Sequence, residues 1–469
     1  MQKKNIILII GSMGILVEAL DIAIINLALP SIQQEFALTG AGVQWLQSLY
    51  ILFYGGFLII GGKLSDVYGT KKMFLLGSGL FLFTSLGAGL SPTYSSLLVF
   101  RAIQGLAAAM VMPAAFSLIS HTFTDLSERG RAMGIFSSFA AIGSGSGLSL
   151  GGVITSYCGW QWVFIINVPI LAIVILFGYA LLDVDSPSRT GERPDLLSGF
   201  FLVSGLVMVT ICTQLLAAPA DNIWYIASLV VLIVLFAATL KTRLGKKENP
   251  LIDLCLFRIP SLVAGNVSFL LLGAFFTGYL FIVSMVLQYN LHITAAKAGI
   301  ILVPFSLLSV LVARFVAPHI MPRIPVIATA MIGMACMLTG SIFLMAAIYF
   351  TQLSLLLCGA ASIAGFGITL CFTGFSVMSM QQIPAMHYGV GSSLTSTSFF
   401  FGGGVGLPLL TIFIKNGTNI GVAPIIVLAA FASVALVFLV LYMQKVNAQN
   451  EQITGSAIEK IESGLTAVV

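Results

Sequence analysis

Apolar stretches of about 20 residues follow one another along this chain, each long enough to cross a hydrocarbon core of about 30 Å as a helix. They fall at 5–29, 43–62, 73–91, 97–119, 132–156, 163–182, 196–218, 222–240, 262–286, 298–318, 325–348, 353–376, 389–413 and 422–443. The pattern predicts an all-α polytopic membrane protein with 14 transmembrane helices, and an even number of crossings returns both ends to one side. The longest connections, 183–195 and 241–261, bracket the seventh and eighth spans. They divide the chain into a six-helix bundle (1–183), an inserted helix pair with its linkers (184–261), a second six-helix bundle (262–443) and a polar tail (444–469). Two short strings repeat: GIFSSF at 134–139 opens span five and GVGSSL at 389–394 opens span thirteen. Gly147 and Gly402 stand nine residues beyond the second serine of each. Duplicated halves would put these helices in equivalent places, and two glycine-rich helices can also match by chance.

The first apolar run follows Lys3 and Lys4, yet it is too long for a secretory signal, contains two acids and lacks a small-residue cleavage site, so it reads as a span. Of the 21 Lys and Arg, all but Lys297, Lys415, Arg101 and Arg314 fall in cytoplasmic loops or ends if the N-terminus is cytoplasmic. Trp45, Trp160, Trp162 and Trp224 all fall at the opposite, outer ends, as an aromatic belt requires. Composition agrees: 58% of residues are apolar and 8% charged, against roughly 45–50% and about 25% for soluble domains. The net charge of +5 is spread over short loops, which speaks for membrane topology rather than nucleic-acid binding. Six cysteines (Cys158, Cys212, Cys255, Cys336, Cys358, Cys371) stand singly, without metal-ligand spacing or a disulfide framework.

Two acids do not fit a loop. Glu18 and Asp21 lie inside the first span, each costing on the order of 3 kcal/mol at mid-membrane. Spacing of three places them about 60° apart around the helix and about 4.5 Å along its axis, so they face one cavity and titrate as a coupled pair. Arg101 is the base set well inside a span, and an opposite charge on a neighbouring helix is its cheapest partner. A carboxylate that exchanges a proton for a cationic substrate is what a proton-coupled carrier needs. The plainer reading is a structural Asp21–Arg101 pair with Glu18 facing vestibule water. His121, His292, His319 and His387 lie at span ends, away from any relay through the membrane.

Several motifs carry a resemblance. LDIAIINLALP (20–30) matches a Leu-Asp-x-Thr-x-x-Asn-x-Ala-Leu-Pro pattern at Asp21, Asn26 and Pro30, with Ala23 at the Thr position. GKLSDVYGTKK (62–72) matches a signature loop at Gly62, Leu64, Asp66, Gly69 and Lys71, but has Val67 and Thr70 where bases are usual. RAIQGLAAA carries Arg101, Gln104 and Gly105, and GSGSGLSLGGVI (143–154) carries Gly143, Gly147, Gly151 and Gly152 with Leu148 in place of a proline. WQWVFIINVPI (160–170) and NPLIDLCLFRIPS (249–261) favour one branch specifically. Taken together, the chain resembles the fourteen-span drug:proton antiporters of the major facilitator superfamily, the EmrB and QacA type.

The resemblance implies a major facilitator fold working by alternating access. It implies Asp21 as the main proton-coupling acid, Glu18 as a second proton or cation site, and Arg101 as the base that biases them. Asn26, Tyr50, Tyr54 and Gln104 are the expected substrate contacts. Tyr50, Phe53 and Tyr54 are spaced as an aromatic stripe able to stack on flat cations, or equally to meet lipid or another helix. Gly62, Asp66, Gly69 and Lys71, with Gly143, Gly147, Gly151 and Gly152, are the expected gating and packing residues: small residues let helix backbones approach, Gly69 allows a tight turn, and Asp66 can cap a helix or pair with a base. FFFGGGVGLP (399–408) reads as a closely packing helix with a bend at Pro408.

No phosphate-binding Gly-x-x-x-x-Gly-Lys-Ser/Thr loop and no nucleophile–base constellation is present, so neither an enzyme, a cofactor nor a metal is expected. Energy would then come from a gradient, at about 2.3 kcal/mol per charge per 100 mV. The expected activity is proton-coupled export of small lipophilic, cationic drugs or antiseptics across a bacterial cytoplasmic membrane, both termini cytoplasmic. The expected partners are protons, the small-molecule substrate and the lipid bilayer, with no nucleic acid; a periplasmic adaptor is not legible. The rivals are a proton-coupled transporter of a specific metabolite, siderophore or amino acid on the same fold, and a non-transporting membrane receptor or assembly partner.

Overall fold

A computed structural model describes residues 2–466 except 39, 124, 183–194, 217–218, 247–253, 321–322, 384–387 and 415–419. Much of the two long linkers predicted above therefore lies outside the described residues. The long helices are α1 (Gln2–Ile24), α2 (Trp45–Tyr68), α3 (Thr70–Gly89), α4 (Tyr94–Thr122), α5 (Leu126–Tyr157) and α6 (Asn167–Leu181). After these come α7 (Leu196–Leu215) and α8 (Pro219–Lys246). The remainder are α9 (Pro260–Met285), α10 (Ala295–Leu311), α11 (Val326–Phe350), α12 (Leu353–Met380), α13 (Tyr388–Thr411) and α14 (Ala423–Thr466).

Among the described residues, twelve helices are long and apolar enough to cross a membrane. The two apolar segments that fall short of that standard have a physical reason. In α7 the apolar helix runs only from Leu197 to Thr213, and α13 is rich in glycine, serine and threonine, which lower its hydropathy while letting it pack closely.

Local signals place the ends. Thr93 caps α4, its Oγ1 accepting from the Ser96 N–H at 3.3 Å. Pro260 occupies the first turn of α9, where its missing N–H costs nothing. Gly69 turns α2 into α3 at φ +103°, a conformation that side chains with a Cβ resist, as the motif predicted. Lys71 then reaches across to the end of α6 and donates to the carbonyls of Tyr179 (3.0 Å) and Leu182 (2.7 Å), a cation at a helix C-terminus.

The packing repeats. Helix α1 lies on α5, α2 on α4, α3 on α4 and α6, and α1 also on α4 and α6. Eight helices later the same pairs return: α9 on α13, α10 on α12, α11 on α12 and α14, and α9 on α12 and α14. The two sets meet through α2 against α13 and α5 against α10. Between them α7 packs on α2 and α13, and α8 on α7. Asp195 heads α7, accepting from Ser198 and from Arg243 of α8 at 3.4 Å. At that end Leu244 joins Ile59, Ile60, Leu262 and Leu394 in one apolar cluster.

Glycines make the close seams. Added side-chain carbons at Gly143, Gly147 and Gly151 would run into the α1 backbone at Leu16, Leu20 and Ile24, and one at Gly152 would meet Ala295 of α10. In α13, Gly402 and Gly406 stand in the same way against Leu270 and Ala274 of α9. Leu148, at the motif's proline position, leaves α5 continuous from Leu126 to Tyr157. One expectation shifts by a residue: the helix approach at the start of the signature loop is made by Gly61 against the Ala109 carbonyl, whereas a carbon on Gly62 would sit in open contact, 3.8 Å from Pro113. Trp160 is also displaced from the aromatic belt. It is buried and donates its indole N–H to Glu35 at 2.6 Å, because the α1–α2 connection folds over it, while Trp162 and Trp224 remain exposed.

Gly151→Val should therefore force α5 off α1 and cost about 1–3 kcal/mol, the usual penalty of overpacking. Unfolding in detergent, followed by reaction of a thiol-sensitive dye with the buried Cys371, should move to lower temperature by several degrees. Gly79→Val, at a glycine with nothing within 4 Å, should move it little.

Candidate functional site

The charged residues of α1 and α4 meet in the interior of the first helix set. Asp21 and Arg101 are fully buried, and Arg101 Nη1 donates to Asp21 Oδ2 at 2.6 Å. The pair sits in a shell of hydrogen bonds rather than in bare hydrocarbon. Gln104 Nε2 donates to Asp21 Oδ1 at 3.1 Å, and Asn167 Nδ2 donates to the same oxygen at 2.9 Å. Arg101 also donates through Nη1 to Gln104 Oε1 at 2.7 Å and through Nε to the Leu46 carbonyl at 3.0 Å. Gln104 Nε2 reaches Ser85 at 2.8 Å. The guanidinium lies 4.3 Å from the centre of the Tyr50 ring and 5.7 Å from that of Phe164, a cation–π contact strengthened by desolvation. One knot thus ties α1, α3, α4, α6 and the chain just inside α2.

Glu18, one turn earlier, is nearly buried but outside the knot: its Oε2 has no hydrogen-bond partner. Of the four expected substrate contacts, two are engaged within the protein. Both polar atoms of the Gln104 side chain belong to the knot, and Asn26 Nδ2 donates back to the carbonyls of Ile22 (3.0 Å) and Ala23 (3.2 Å). Tyr50 and Tyr54 stand edge to face at 6.0 Å, and Tyr54 faces Phe400 of α13 at 4.1 Å. Both tyrosines are buried, Phe400 half-buried. Of the gating residues, Asp66 lies exposed near the end of α2, where Lys63 and His121 are its charged neighbours.

Asn167, Ser85 and the Leu46 carbonyl were not singled out as functional in the sequence. Asn167 lies in the Asn-x-Pro string that only marked relatives, and its signal was a carboxamide set among the apolar residues that open α6. Ser85 carries no signal beyond a hydroxyl within a span.

Hydrogen bonds between the two helix sets gather at the end of the bundle where α1 and α9 finish. Ser284 donates to the Asn26 carbonyl, Gln288 to that of Leu27 at 3.4 Å, and Tyr289 to Gln33 at 3.2 Å. The Ala296 N–H donates to Ser156 Oγ at 2.9 Å, and Thr411 donates to Gln44. Deeper in the bundle, Thr397 of α13 donates to the Gly55 carbonyl of α2 at 3.0 Å.

Residues 11–407 match the family model described as Major Facilitator Superfamily. The chain belongs to that superfamily. This facilitator is accordingly a transporter and not an enzyme. It is 29% identical over 408 residues to "Multidrug resistance protein Stp" of Mycobacterium tuberculosis, covering 86% of this chain and 74% of that one. It is 30% identical over 410 residues to "Cephamycin export protein CmcT" of Amycolatopsis lactamdurans, covering 85% and 82%. To the "Tetracenomycin C resistance and export protein" of Streptomyces glaucescens it is 30% identical over 420 residues, covering 86% and 75%. The fold of the facilitator also matches the crystal structure of the POT family transporter PepTSo, with a TM-score of 0.69 at 16% identity over 96% of this chain and 99% of that one.

Removing one member of the buried pair leaves the other without its counter-charge, a loss of about 3–5 kcal/mol. Arg101→Leu should lower the unfolding temperature of the detergent-solubilised transporter sharply, and adding Asp21→Asn to it should restore part of the loss. Asn167→Leu removes one donor and should cost about 1–3 kcal/mol, measured the same way.

Proposed function

We propose that this facilitator exports small lipophilic, cationic drugs or antiseptics from the cytoplasm in exchange for protons. The observation that carries the reading is a carboxylate–guanidinium pair sealed inside the membrane-spanning bundle, with a second carboxylate one turn away. Burying such groups is expensive, and proton exchange gives the expense a use: protonating Asp21 weakens its hold on Arg101 and loosens α1 from α4 and α6. Asp21 is then the main coupling acid, Arg101 the base that sets its charge, and Gln104 and Asn167 position them. The relatives named for multidrug resistance and for export of antibiotics support the outward direction and a drug as cargo.

In this reading α7 and α13 also cross the membrane, bringing the spans to fourteen. The chain divides into six-helix units at 1–183 and 262–443, an inserted pair within 184–261 and a tail at 444–469, the division favoured by the packing pairs that recur eight helices apart. The positive residues of the loops put both termini in the cytoplasm of a bacterium's inner membrane, so the hydrogen bonds joining the two helix sets latch the outer end. Substrate contacts fall to Tyr50 and Tyr54, while Asn26 and Gln104 hold the helices around them. The glycines facing α1 and α10, with Gly69, Asp66 and Lys71 at the inner end, guide the rocking of one unit on the other.

The test is proton movement in proteoliposomes on adding a panel of lipophilic cations. Substrate-triggered proton release that falls at least tenfold in Asp21→Asn is the expected result. Protein shown to be folded that moves no proton with any cation would overturn the reading.

A further inference from the structure

Two seams join the helix sets, and the shift of eight helices that relates the sets also relates the seams: α2 on α13 in one, α5 on α10 in the other. Both are fastened at the end where α1 and α9 finish. Thr411 donates to Gln44 in the first, and the Ala296 N–H donates to Ser156 Oγ in the second at 2.9 Å. Glycines then keep both seams close: Gly404 stands against Leu52 and Gly55 against Phe400 in the first, Gly152 against Ala295 and Gly145 against Ser306 in the second. Toward the opposite end, the one that holds Gly69, the two seams differ.

Along α2 and α13 the closure continues. Ile59 and Ile60 of α2 and Leu394 of α13 are buried in one cluster. Along α5 and α10 it stops one turn past Gly145 and Ser306, where Ile142 is 51% exposed and Val310 38%. Beyond them each helix packs within its own set. Ala132 and Phe136 of α5 join Ile7, Phe74 and Ile119 of α1, α3 and α4, whereas Val312 and Ala317, just past α10, join Leu370 of α12.

The first seam has the inserted pair laid over it. Helix α7 packs on α2 and α13 together and seats Val203 against Gly56, where an added carbon would lie 2.8 Å from the valine side chain. Helix α8 backs α7 and carries Leu244 into the cluster of Ile59, Ile60 and Leu394, which Leu262 enters from the first turn of α9. The pair is also tied to itself at this end. Asp195 is 5% exposed and accepts from the Ser198 N–H at 3.2 Å and from Arg243 at 3.4 Å, so losing Arg243 would leave a buried carboxylate without that counter-charge. At the same end, among the described residues, no helix packs on both α5 and α10.

We propose that α7 and α8 form a clasp that holds the α2–α13 seam shut at the Gly69 end and makes it a hinge, so that this end opens on one side only, by α5 swinging away from α10. This rests on the alternating-access reading above and gives the motion a direction. Parting α2 from α13 would separate Ile59 and Ile60 from Leu394 and pull α7 off one of its two supports. Parting α5 from α10 separates side chains already housed in different clusters. In lipid the difference is one of packing rather than of burial from water, and packing is what the clasp supplies to one seam and not to the other.

The experiment measures distances in the full chain in lipid nanodiscs, with spin labels carried on a keto amino acid so that the native cysteines stay untouched. One pair, Tyr68–Ser393, crosses the clasped seam, and another, Ile135–Leu311, crosses the open one. Acid and alkaline buffer, each with and without the lipophilic cation ethidium, bias the cycle. The Ile135–Leu311 distance should move by roughly 5 Å or more, while Tyr68–Ser393 keeps one narrow distribution. Val203→Ala combined with Arg243→Gln should give Tyr68–Ser393 a second, longer population under the same conditions. Gly56→Ala, whose added carbon presses Val203 off α2, should do the same and gives the reading if the double variant unfolds at a much lower temperature. Both seams moving alike in the natural chain overturns the hinge, and a Tyr68–Ser393 distance that stays fixed when the clasp is loosened overturns its assignment to α7 and α8. Both distances still while Gln34–His292, across the opposite end, moves overturns the hinge alone; all three still overturns the alternating-access reading with it.

Discussion

Everything in the first helix set is arranged around one desolvated ion pair. A carboxylate and a guanidinium with no exposed surface are tolerable only if most of their remaining donors and acceptors are met, and the fold meets all but Arg101 Nη2, which has no hydrogen-bond partner, by recruiting a different helix for almost each bond. Asp21 comes from α1, Arg101 and Gln104 from α4, Asn167 from the first residue of α6, Ser85 from α3, and the Leu46 carbonyl from the first turn of α2. Five helices are thereby set in register by chemistry that has no substitute in hydrocarbon. The glycine stripe of α5 completes the assembly, since it lets the sixth helix close on α1 over the same stretch that carries the acids.

The second helix set has the same packing pairs but, among the described residues, no equivalent buried charge. Its interior is aromatic and sulfur-rich, with Phe269, Phe375 and Met337 among the fully buried side chains, and Cys371 set between the Ala330 carbonyl and the Met337 sulfur. Dispersion and small-residue contacts hold it together. The superfamily architecture thus appears here in two physical versions, one ionic and one apolar, joined through α2 on α13 and α5 on α10. Where they join at the end at which α1 and α9 finish, the hydrogen bonds are mostly single and neutral, and such bonds are worth little net and exchange readily.

Much of this was legible in the sequence because the membrane leaves few choices. Apolar run length marked the helices, and the expense of charge singled out Asp21, Glu18 and Arg101 before any geometry was known. Gly69 was readable as a turn, and Gly143, Gly147 and Gly151 as a seam, since only glycine tolerates what those places demand. Other features escaped for equally physical reasons. That Gly61 rather than Gly62 makes the close approach depends on the rotation of α2, which adjacent glycines do not reveal. Trp160 looked like an interface anchor because position along a span does not disclose that Glu35 folds back to meet it. Asn167 is one carboxamide among several, and only the tertiary arrangement distinguishes it from Asn26, which bonds to its own helix.

Among the described residues, the three five-to-seven-residue stretches in which the helical ladder widens by one residue all occur in the second set: Val286–Asn290 after α9, Val312–Val316 after α10, and Ala361–Gly367 within α12. A widened turn holds one residue more than its neighbours. Moving that extra residue along the ladder would swing the side chains it passes through about 100° while the helix ends stay where they are. One half of the transporter is therefore braced like a keystone, and the other carries slack threaded into its rods. Ser362, placed in the longest of these stretches, donates to the Cys336 carbonyl of α11 at 2.7 Å, and a shift of the extra residue past it would turn it off that partner without any helix coming undone.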